Sequence, residues 1–344
     1  MCRSVLVTRA IIISTLSFFV QQGFAQNIGE RTFRFMDTAR NRPVITEVWY
    51  STTDVPSQKS DGNYPFIHIP TVRNATVSDM KFPLILISHG TGGGRMTLEW
   101  LADILVKNGF IVAAVDHYGN TYDNKIAADF IEPWRRPLDI SYALSALLKE
   151  TLFGSRIDTA RIGAAGFSIG GYTVIALAGG KLDLNALKVY LNTPAGKKEA
   201  AIPEFPNLMS KIDANSVARS FNSSPPLKDS RIKAFFAICP AIGQGFVNKE
   251  QFAAIQSPVY IVGAQSDSIA PVKTNAKHYH ELIKGSKLMV TEGKIGHYVF
   301  LNEATDAYKR QAPFIFTDDV SVNRRQVHER VGQSAVEFFK SALK

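Results

Sequence analysis

Residues 166–171 read Gly166-Phe167-Ser168-Ile169-Gly170-Gly171, between an apolar run from Ile162 to Ala165 and a stretch of helical spacing from Ile169 to Ala178. A serine flanked by glycines at a strand-to-helix turn is the setting of a nucleophile elbow. Glycines are needed because so tight a turn leaves no room for a Cβ two residues either side of a strained serine. At about 7% glycine, the bare spacing arises by chance in roughly one chain in ten of this length. The flanking strand and helix therefore carry the prediction that Ser168 is a nucleophile; the alternative is an idle serine in a glycine-rich turn.

Apolar runs alternate with segments of helical spacing along most of the chain. The predicted strands are Phe82 to Ser88, Phe110 to Val115, Ile162 to Ala165, Ile232 to Ile238, Val259 to Val262 and Leu288 to Val290. The predicted helices are Leu98 to Val106, Ile140 to Leu148, Ile169 to Ala178, Thr274 to Ile283 and Arg325 to Leu343. This alternation predicts an α/β fold with a mostly parallel central sheet flanked by helices.

Two segments depart from that alternation. Phe33 to Phe35 and Ile45 to Tyr50 predict an N-terminal β-hairpin that turns around residues 40–43. Residues 181–230 contain five prolines and only partial helical periodicity. Because a structureless loop of this length is uncommon in a compact domain, we expect a partly helical insertion, or cap, over the carboxyl edge of the sheet.

The N-terminus has the pattern of a secretory signal peptide. Arg3 and Arg9 precede an apolar run from Ala10 to Val20, and Gly23-Phe24-Ala25 places small residues at a cleavage site. The run is shorter than the ~18–20 apolar residues that a spanning helix needs. We therefore predict a signal peptide at residues 1–25, a mature domain at residues 26–344, a secreted or periplasmic destination and no stable membrane insertion.

Composition excludes several classes of function. The chain has 344 residues, of which 45% are apolar and 20% charged, and its formal net charge is +9. Its basic residues are scattered singly or in pairs, so no nucleic-acid partner is expected. Removal of Cys2 with the signal would leave Cys239 without a disulfide partner, and we expect it to be a buried, inert thiol.

A nucleophilic serine needs a histidine as base and an acid that orients the histidine. In chain order after Ser168, Asp267 follows the strand Val259 to Val262, and His297 follows the strand Leu288 to Val290. Both positions fall at the sheet edge expected for Ser168, so we predict Ser168, Asp267 and His297 as a catalytic triad. Rival acids are Asp116, Glu292 and Asp318.

Acyl transfer also requires N–H donors for the oxyanion. We expect one from Ile169, directly after the nucleophile, and one from Thr91 in the glycine-rich stretch after the strand that ends at Ser88. Candidate pocket residues beside them are His89, Gly92, His117, Tyr118 and Phe167. The glycine spacing after His89 fits neither a dinucleotide loop nor a P-loop, and no His or Cys spacing indicates a metal site, so no cofactor is expected.

Taken together, these residues resemble the α/β-hydrolase superfamily, and more narrowly the bacterial dienelactone-hydrolase-like and platelet-activating-factor-acetylhydrolase-like proteins. The narrower resemblance lies in residues 37–50 with Arg40-x-Arg42, 89–92, 109–117, the elbow, 134–139 and 324–328. It implies the α/β-hydrolase fold and the hydrolysis of a carboxylic ester by Ser168, Asp267 and His297. Dienelactone hydrolases differ in using a cysteine at the position of Ser168.

The sequence thus predicts an ester hydrolase acting on a small-molecule substrate, with a short acyl group or a small aromatic ester. Two alternatives stay open. An amidase or peptidase uses the same triad, and a non-catalytic binding protein can share the fold. The oligomeric state is not predicted.

Overall fold

A computed structural model describes residues 27–56, 65–199 and 213–344. The predicted signal peptide, residues 1–25, lies outside the described residues. Within them, no helix is both long enough and apolar enough to cross a bilayer.

A nine-stranded sheet forms the centre of the protein, in the order β3-β1-β2-β5-β4-β6-β7-β8-β9. The strands are β1 Asn27–Asp37, β2 Arg42–Thr52, β3 Val72–Arg73, β4 Phe82–Ser88, β5 Ile111–Val115, β6 Ile157–Phe167, β7 Ala234–Ile238, β8 Val259–Ala264 and β9 Lys287–Thr291. Strands β1 and β2 pair antiparallel, from Asn27 opposite Thr52 to Asp37 opposite Arg42. Strand β2 is antiparallel to β5, and the strands from β5 to β9 are parallel. The predicted N-terminal hairpin and mostly parallel sheet are confirmed.

Helices cover both faces of the sheet. They are α1 Glu99–Lys107, α2 Ala127–Ile131, α3 Arg135–Lys149, α4 Ile169–Ala178, α5 Leu184–Leu191, α6 Pro194–Glu199, α7 Ala214–Asn222, α8 Ala276–Leu282, α9 Asp306–Gln311, α10 Pro313–Phe316 and α11 Arg324–Ala342. In β4, Leu84 and Leu86 belong to the core under α3, α4 and α8, whereas Ile85 and Ile87 belong to the core under α1 and α11. Because successive strand residues point to opposite faces, a strand covered on both sides is apolar throughout.

Three helices occupy the described part of the predicted insertion. Helices α5 and α7 begin at aspartates, and the carboxylates of Asp183 and Asp213 accept backbone N–H groups of the first turn. Helix α7 packs on the core through Phe221, whose ring lies 5.0 Å from that of Trp134 in an edge-on arrangement. Trp134 Nε1 also donates a hydrogen bond to Ser220 Oγ at 3.2 Å. The insertion is therefore tied to the segment that leads into α3.

Candidate active site

Ser168 occupies a tight turn between β6 and α4. Its φ of 58° lies in the left-handed region, which non-glycine residues adopt at a cost of about 1–3 kcal/mol. A Cβ on Gly166 would lie 2.0 Å from the Gly170 carbonyl oxygen, and a Cβ on Gly170 would lie 2.0 Å from the Ser88 carbonyl oxygen. Glycine at both positions is what allows the turn to close against β4.

The side chains of Ser168, His297 and Asp267 form one hydrogen-bonded row. His297 Nε2 lies 3.0 Å from Ser168 Oγ, and His297 Nδ1 lies 2.6 Å from Asp267 Oδ2. The other carboxylate oxygen of Asp267 accepts the N–H groups of Ile269 at 2.9 Å and Ala270 at 2.7 Å. All three side chains are buried. This is the geometry in which a carboxylate orients an imidazole and the imidazole can take a serine proton.

Sheet topology explains why three distant positions meet. Ser168, Asp267 and His297 follow the carboxyl ends of β6, β8 and β9, which are parallel strands on one side of the sheet.

Two of the rival acids are engaged by arginines: Asp116 pairs with Arg95 at 2.6 Å, and Asp318 pairs with Arg324 at 2.8 Å. The third, Glu292, is exposed.

The two residues expected to supply oxyanion donors lie at the same cavity. Thr91 and Ile169 both line it, and no hydrogen bond within the described ranges uses either backbone N–H. We call residues 89–94 the oxyanion loop, after the donor predicted at Thr91. The buried Asn120 holds this loop, because its Oδ1 accepts the Gly92 N–H at 2.9 Å. A Cβ on Gly90 would lie 3.0 Å from the ring of Phe167. The loop backbone therefore lies directly against the nucleophile turn.

The candidate pocket residues separate into two groups. Gly92 and Phe167 line the cavity, and the Phe167 ring lies 4.7 Å from that of His297. His89, His117 and Tyr118 are not among its lining residues.

The side chains of the two histidines instead form a buried polar layer outside the cavity, next to the backbone of the oxyanion loop. The imidazole of His117 makes two hydrogen bonds. Its Nε2 lies 2.9 Å from Ser88 Oγ, and its Nδ1 lies 2.9 Å from Asp139 Oδ2. His89 accepts the His117 N–H at 3.1 Å. Burial holds the pKa of both imidazoles well below the usual value, and the positive charge of Arg136 lowers it further. They are therefore neutral at physiological pH and support the loop.

This layer continues into a buried ion network that ties the hairpin to α3. Arg42 on β2 donates to Asp139 Oδ1 at 2.8 Å and to Asp129 Oδ1 at 2.7 Å. Arg40 donates to the same Asp139 oxygen at 2.9 Å, and Arg42 lies 5.6 Å from the centre of the Tyr118 ring. The paired arginines of the hairpin thus bond directly to the acid of the Trp134–Asp139 segment.

Cys239 lies beneath the acid and the base. Its thiol and ligand atoms of Asp267 and His297 lie within 4.8 Å of one another. Burial raises the pKa of this thiol well above its usual value, and the negative charge of Asp267 raises it further. Thiols bind metals as thiolates, and the side chains of Asp267 and His297 are already hydrogen-bonded to each other. These three side chains therefore fit a protonated thiol beside the Ser168–His297–Asp267 row better than a metal centre.

The cavity above Ser168 has a volume of about 900 Å³. Helices α5 and α7, the segment 298–316 and Phe66 contribute to its walls. The apolar lining side chains include Phe66, Phe130, Leu187, Val217, Ile242, Tyr298, Leu301, Ile315 and Phe316. Among charged groups, Lys125, Lys188 and Glu199 also line it. The site is therefore a mainly apolar chamber with the hydrogen-bonded serine on its wall.

Comparisons with known proteins agree with this architecture. Residues 62–128 match the family model for platelet-activating factor acetylhydrolase, isoform II, a stretch that includes the oxyanion loop. Over 204 residues, 59% of this chain, the sequence is 24% identical to Cutinase 1 of Thermobifida cellulosilytica and 24% identical to a cutinase of Thermobifida fusca (strain YX). The alignments cover 54% and 47% of those proteins. The chain thus spans about half the length of these relatives.

A solved structure extends the likeness across nearly the whole chain. The ferulic acid esterase from Streptomyces cinnamoneus superposes with a TM-score of 0.59 at 17% identity, covering 92% of this chain and 90% of that one. The strand order and this superposition show the α/β-hydrolase fold. In sequence or structure, the chain is similar to the platelet-activating factor acetylhydrolase family model, to cutinases and to a ferulic acid esterase.

Proposed function

We propose that this protein is a serine hydrolase of carboxylic esters, with Ser168 as nucleophile, His297 as general base and Asp267 as the acid that orients it. The observation that carries the proposal is the continuous hydrogen-bonded row from Ser168 Oγ through His297 to Asp267 at the wall of an apolar cavity. The relatives described above as cutinases and as a ferulic acid esterase support ester chemistry.

The reaction proceeds by two acyl transfers. As the bond from Ser168 Oγ to the ester carbonyl carbon forms, His297 Nε2 takes the serine proton, and the N–H groups of Thr91 and Ile169 stabilise the oxyanion. Collapse of this intermediate breaks the bond to the alcohol oxygen, which receives the proton from His297. Water then attacks the acyl-enzyme, loses its proton to His297 and releases the acid, and the proton returns to Ser168.

The substrate we propose is an ester of a short acyl group or a small aromatic ester. A cavity of about 900 Å³ lies at the upper end of the range of about 300–1,000 Å³ that encloses drug-sized ligands. Leu187 of α5 and Val217 of α7 face it, so we also propose that residues 181–230 act as a cap on a single domain, residues 26–344. An aromatic group would use this volume better than an acetyl group. Rates across aliphatic acyl lengths and aromatic esters test this, and a preference for long aliphatic chains would contradict it.

Replacement of the nucleophile tests the activity itself. We expect Ser168→Ala to lose ester turnover by about 10⁶-fold, as removal of a triad serine does elsewhere, while its circular dichroism spectrum is retained. Ser155→Ala, which removes an exposed hydroxyl, serves as a control with wild-type rates. A fluorophosphonate probe should label the wild type and not Ser168→Ala. Absence of labelling would favour a binding protein, and faster cleavage of matched amides than esters would favour an amidase.

We also propose export of the protein, on the basis of the charged, apolar and small-residue order of residues 1–25. N-terminal sequencing of protein recovered from the periplasm or medium should give a first residue near Gln26. A mature protein that begins at Met1 would contradict this.

A further inference from the structure

Arg136 of α3 is buried and contacts both the oxyanion loop and α4, the elbow helix, which follows Ser168. Its side chain is 1% exposed. Its Nη2 donates to the His89 carbonyl oxygen, and its Nε donates to Thr173 Oγ1 on α4 at 3.4 Å. The Thr173 hydroxyl in turn donates to the carbonyl oxygen of Ile169 at 2.9 Å. One guanidinium therefore contacts both segments that supply the expected oxyanion donors.

The charge of Arg136 is poorly compensated. Its Nη1 has no hydrogen-bond partner in the part of the chain that the structure describes. Burial lowers its pKa to about 9, and the carboxylate that opposes this effect, Asp139, is already bonded to Arg40, Arg42 and His117. The group is still protonated at neutral pH. A buried cation with incomplete partners is costly, and a neutral side chain would fill the space more cheaply.

Packing around the His89 carbonyl shows how little freedom this region has. A Cβ on Gly170 would lie 2.0 Å from the Ser88 carbonyl oxygen and 2.7 Å from that of His89. The end of β4 therefore lies tightly against the first turn of α4, and Arg136 donates to the His89 carbonyl oxygen at this point. This contact therefore joins the loop that carries Thr91 to the helix that begins at Ile169.

We propose that Arg136 is a positioning residue for the oxyanion hole: it holds the His89–Thr91 backbone against the elbow helix, and its positive charge favours the negative charge that develops there. This inference rests on the proposed function. It also gives a role to the arginine-rich segment 134–136, which the triad does not use. Loss of a direct oxyanion donor costs about 10²–10³-fold in kcat, so an indirect effect of about 10- to 100-fold is expected here.

The test compares Arg136→Met and Arg136→Lys with Arg135→Met. Arg135 precedes Arg136 on α3, but its side chain is 39% exposed and pairs with Glu132 at 2.5 Å, so it is a matched control for loss of an arginine. The measurements are kcat and KM for an aryl acetate, and the affinity of an alkyl boronic acid, whose tetrahedral serine adduct places an oxygen in the oxyanion hole. We expect Arg136→Met to lower kcat about 10- to 100-fold with KM within about twofold, and to weaken boronate binding by the same factor. Arg136→Lys should be intermediate, and Arg135→Met should stay within about twofold of wild type.

Two results would overturn the inference: a folded Arg136→Met with kcat within about threefold of wild type, or a loss confined to KM. If Arg136→Met does not fold, Thr173→Val decides, because valine keeps the volume and removes the hydroxyl that Arg136 contacts. Unchanged kcat and boronate affinity in Thr173→Val would then refute the role. Failure of the proposed function is separate, since it would appear as an inactive wild type that no fluorophosphonate labels.

Discussion

Gly170→Ala tests the close approach between the elbow and β4. The added Cβ would start 2.0 Å from the Ser88 carbonyl oxygen, whereas real Cβ atoms essentially never approach closer than 3.0 Å. The helix and the strand must therefore separate by about 1 Å. Both are buried backbone segments, so neither can relieve the contact by a change of rotamer.

The expected result has two parts. A displacement of about 1 Å in catalytic geometry can cost about 10²-fold in rate, so we expect kcat/KM for an aryl ester to fall by about that factor. Overpacking of this kind typically costs about 1–3 kcal/mol of unfolding free energy. Ester kinetics and denaturant unfolding of the same preparations measure both effects.

Gly296→Ala supplies the control, because Gly296 immediately precedes His297. A Cβ on Gly296 would lie 3.9 Å from its nearest neighbour, the Ser266 carbonyl oxygen, which is an ordinary contact, and the φ of −98° at this position suits alanine. We expect this variant to keep most of its activity. Wild-type kcat/KM in Gly170→Ala, or an equal loss in both variants, would refute the reasoning from the contact at Ser88.

Three further predictions concern buried side chains. Asp267→Asn should lower kcat by about 10⁴-fold, because the amide does not hold the imidazole in the productive tautomer. Steady-state kinetics measure this loss, and an unchanged thermal midpoint shows that the variant is folded. A loss of less than tenfold would contradict the prediction. Burial lowers the pKa of His328 to about 4, whereas the pKa of a histidine in the unfolded chain is about 6.5. Because the unfolded chain takes up this proton first, the free energy of unfolding should fall by up to about 3 kcal/mol as the pH drops from 6.5 to 4. Denaturant titrations should show a flatter pH dependence in His328→Gln, and an equal slope would count against the assignment. The Cys239 thiol, buried and with a raised pKa, should react with a disulfide reagent only after unfolding, and rapid reaction of the native protein would contradict its burial.

The parts of the fold that follow local rules could be predicted from sequence. Helix α4 spans the predicted residues, Ile169–Ala178, because a glycine-bounded turn marks its start and Gly179, at a φ of 120°, follows its end. Strand β6 begins at Ile157, five residues before the predicted start. Its first half is mostly polar and partly exposed, so the apolar run identified only the buried half. Helix α9 was not predicted, because it buries no residue and so shows no apolar periodicity.

The contacts around the candidate site were harder to predict, since they join segments far apart in the chain. His89 and His117 follow the neighbouring strands β4 and β5, which places them at the same sheet edge as Ser168. The alternation of side chains cannot show whether they point into the cavity or away from it. The hydrogen bonds of Asn120 and Arg136 to backbone atoms of that loop have no sequence signature. Chain order was enough to predict which side chains would meet, whereas the contacts that support them depend on tertiary packing.

The origin of the cavity walls has a consequence for how such an enzyme diversifies. Leu187, Val217 and Ile315 belong to helices outside the sheet, whereas Ser168, Asp267 and His297 are held by the ends of its strands. Mutations that reshape the chamber therefore need not disturb the reacting groups. We therefore expect that selection in the laboratory or in nature can change the substrate range through α5, α7 and α10, while the proposed catalytic groups keep their places at the ends of the strands.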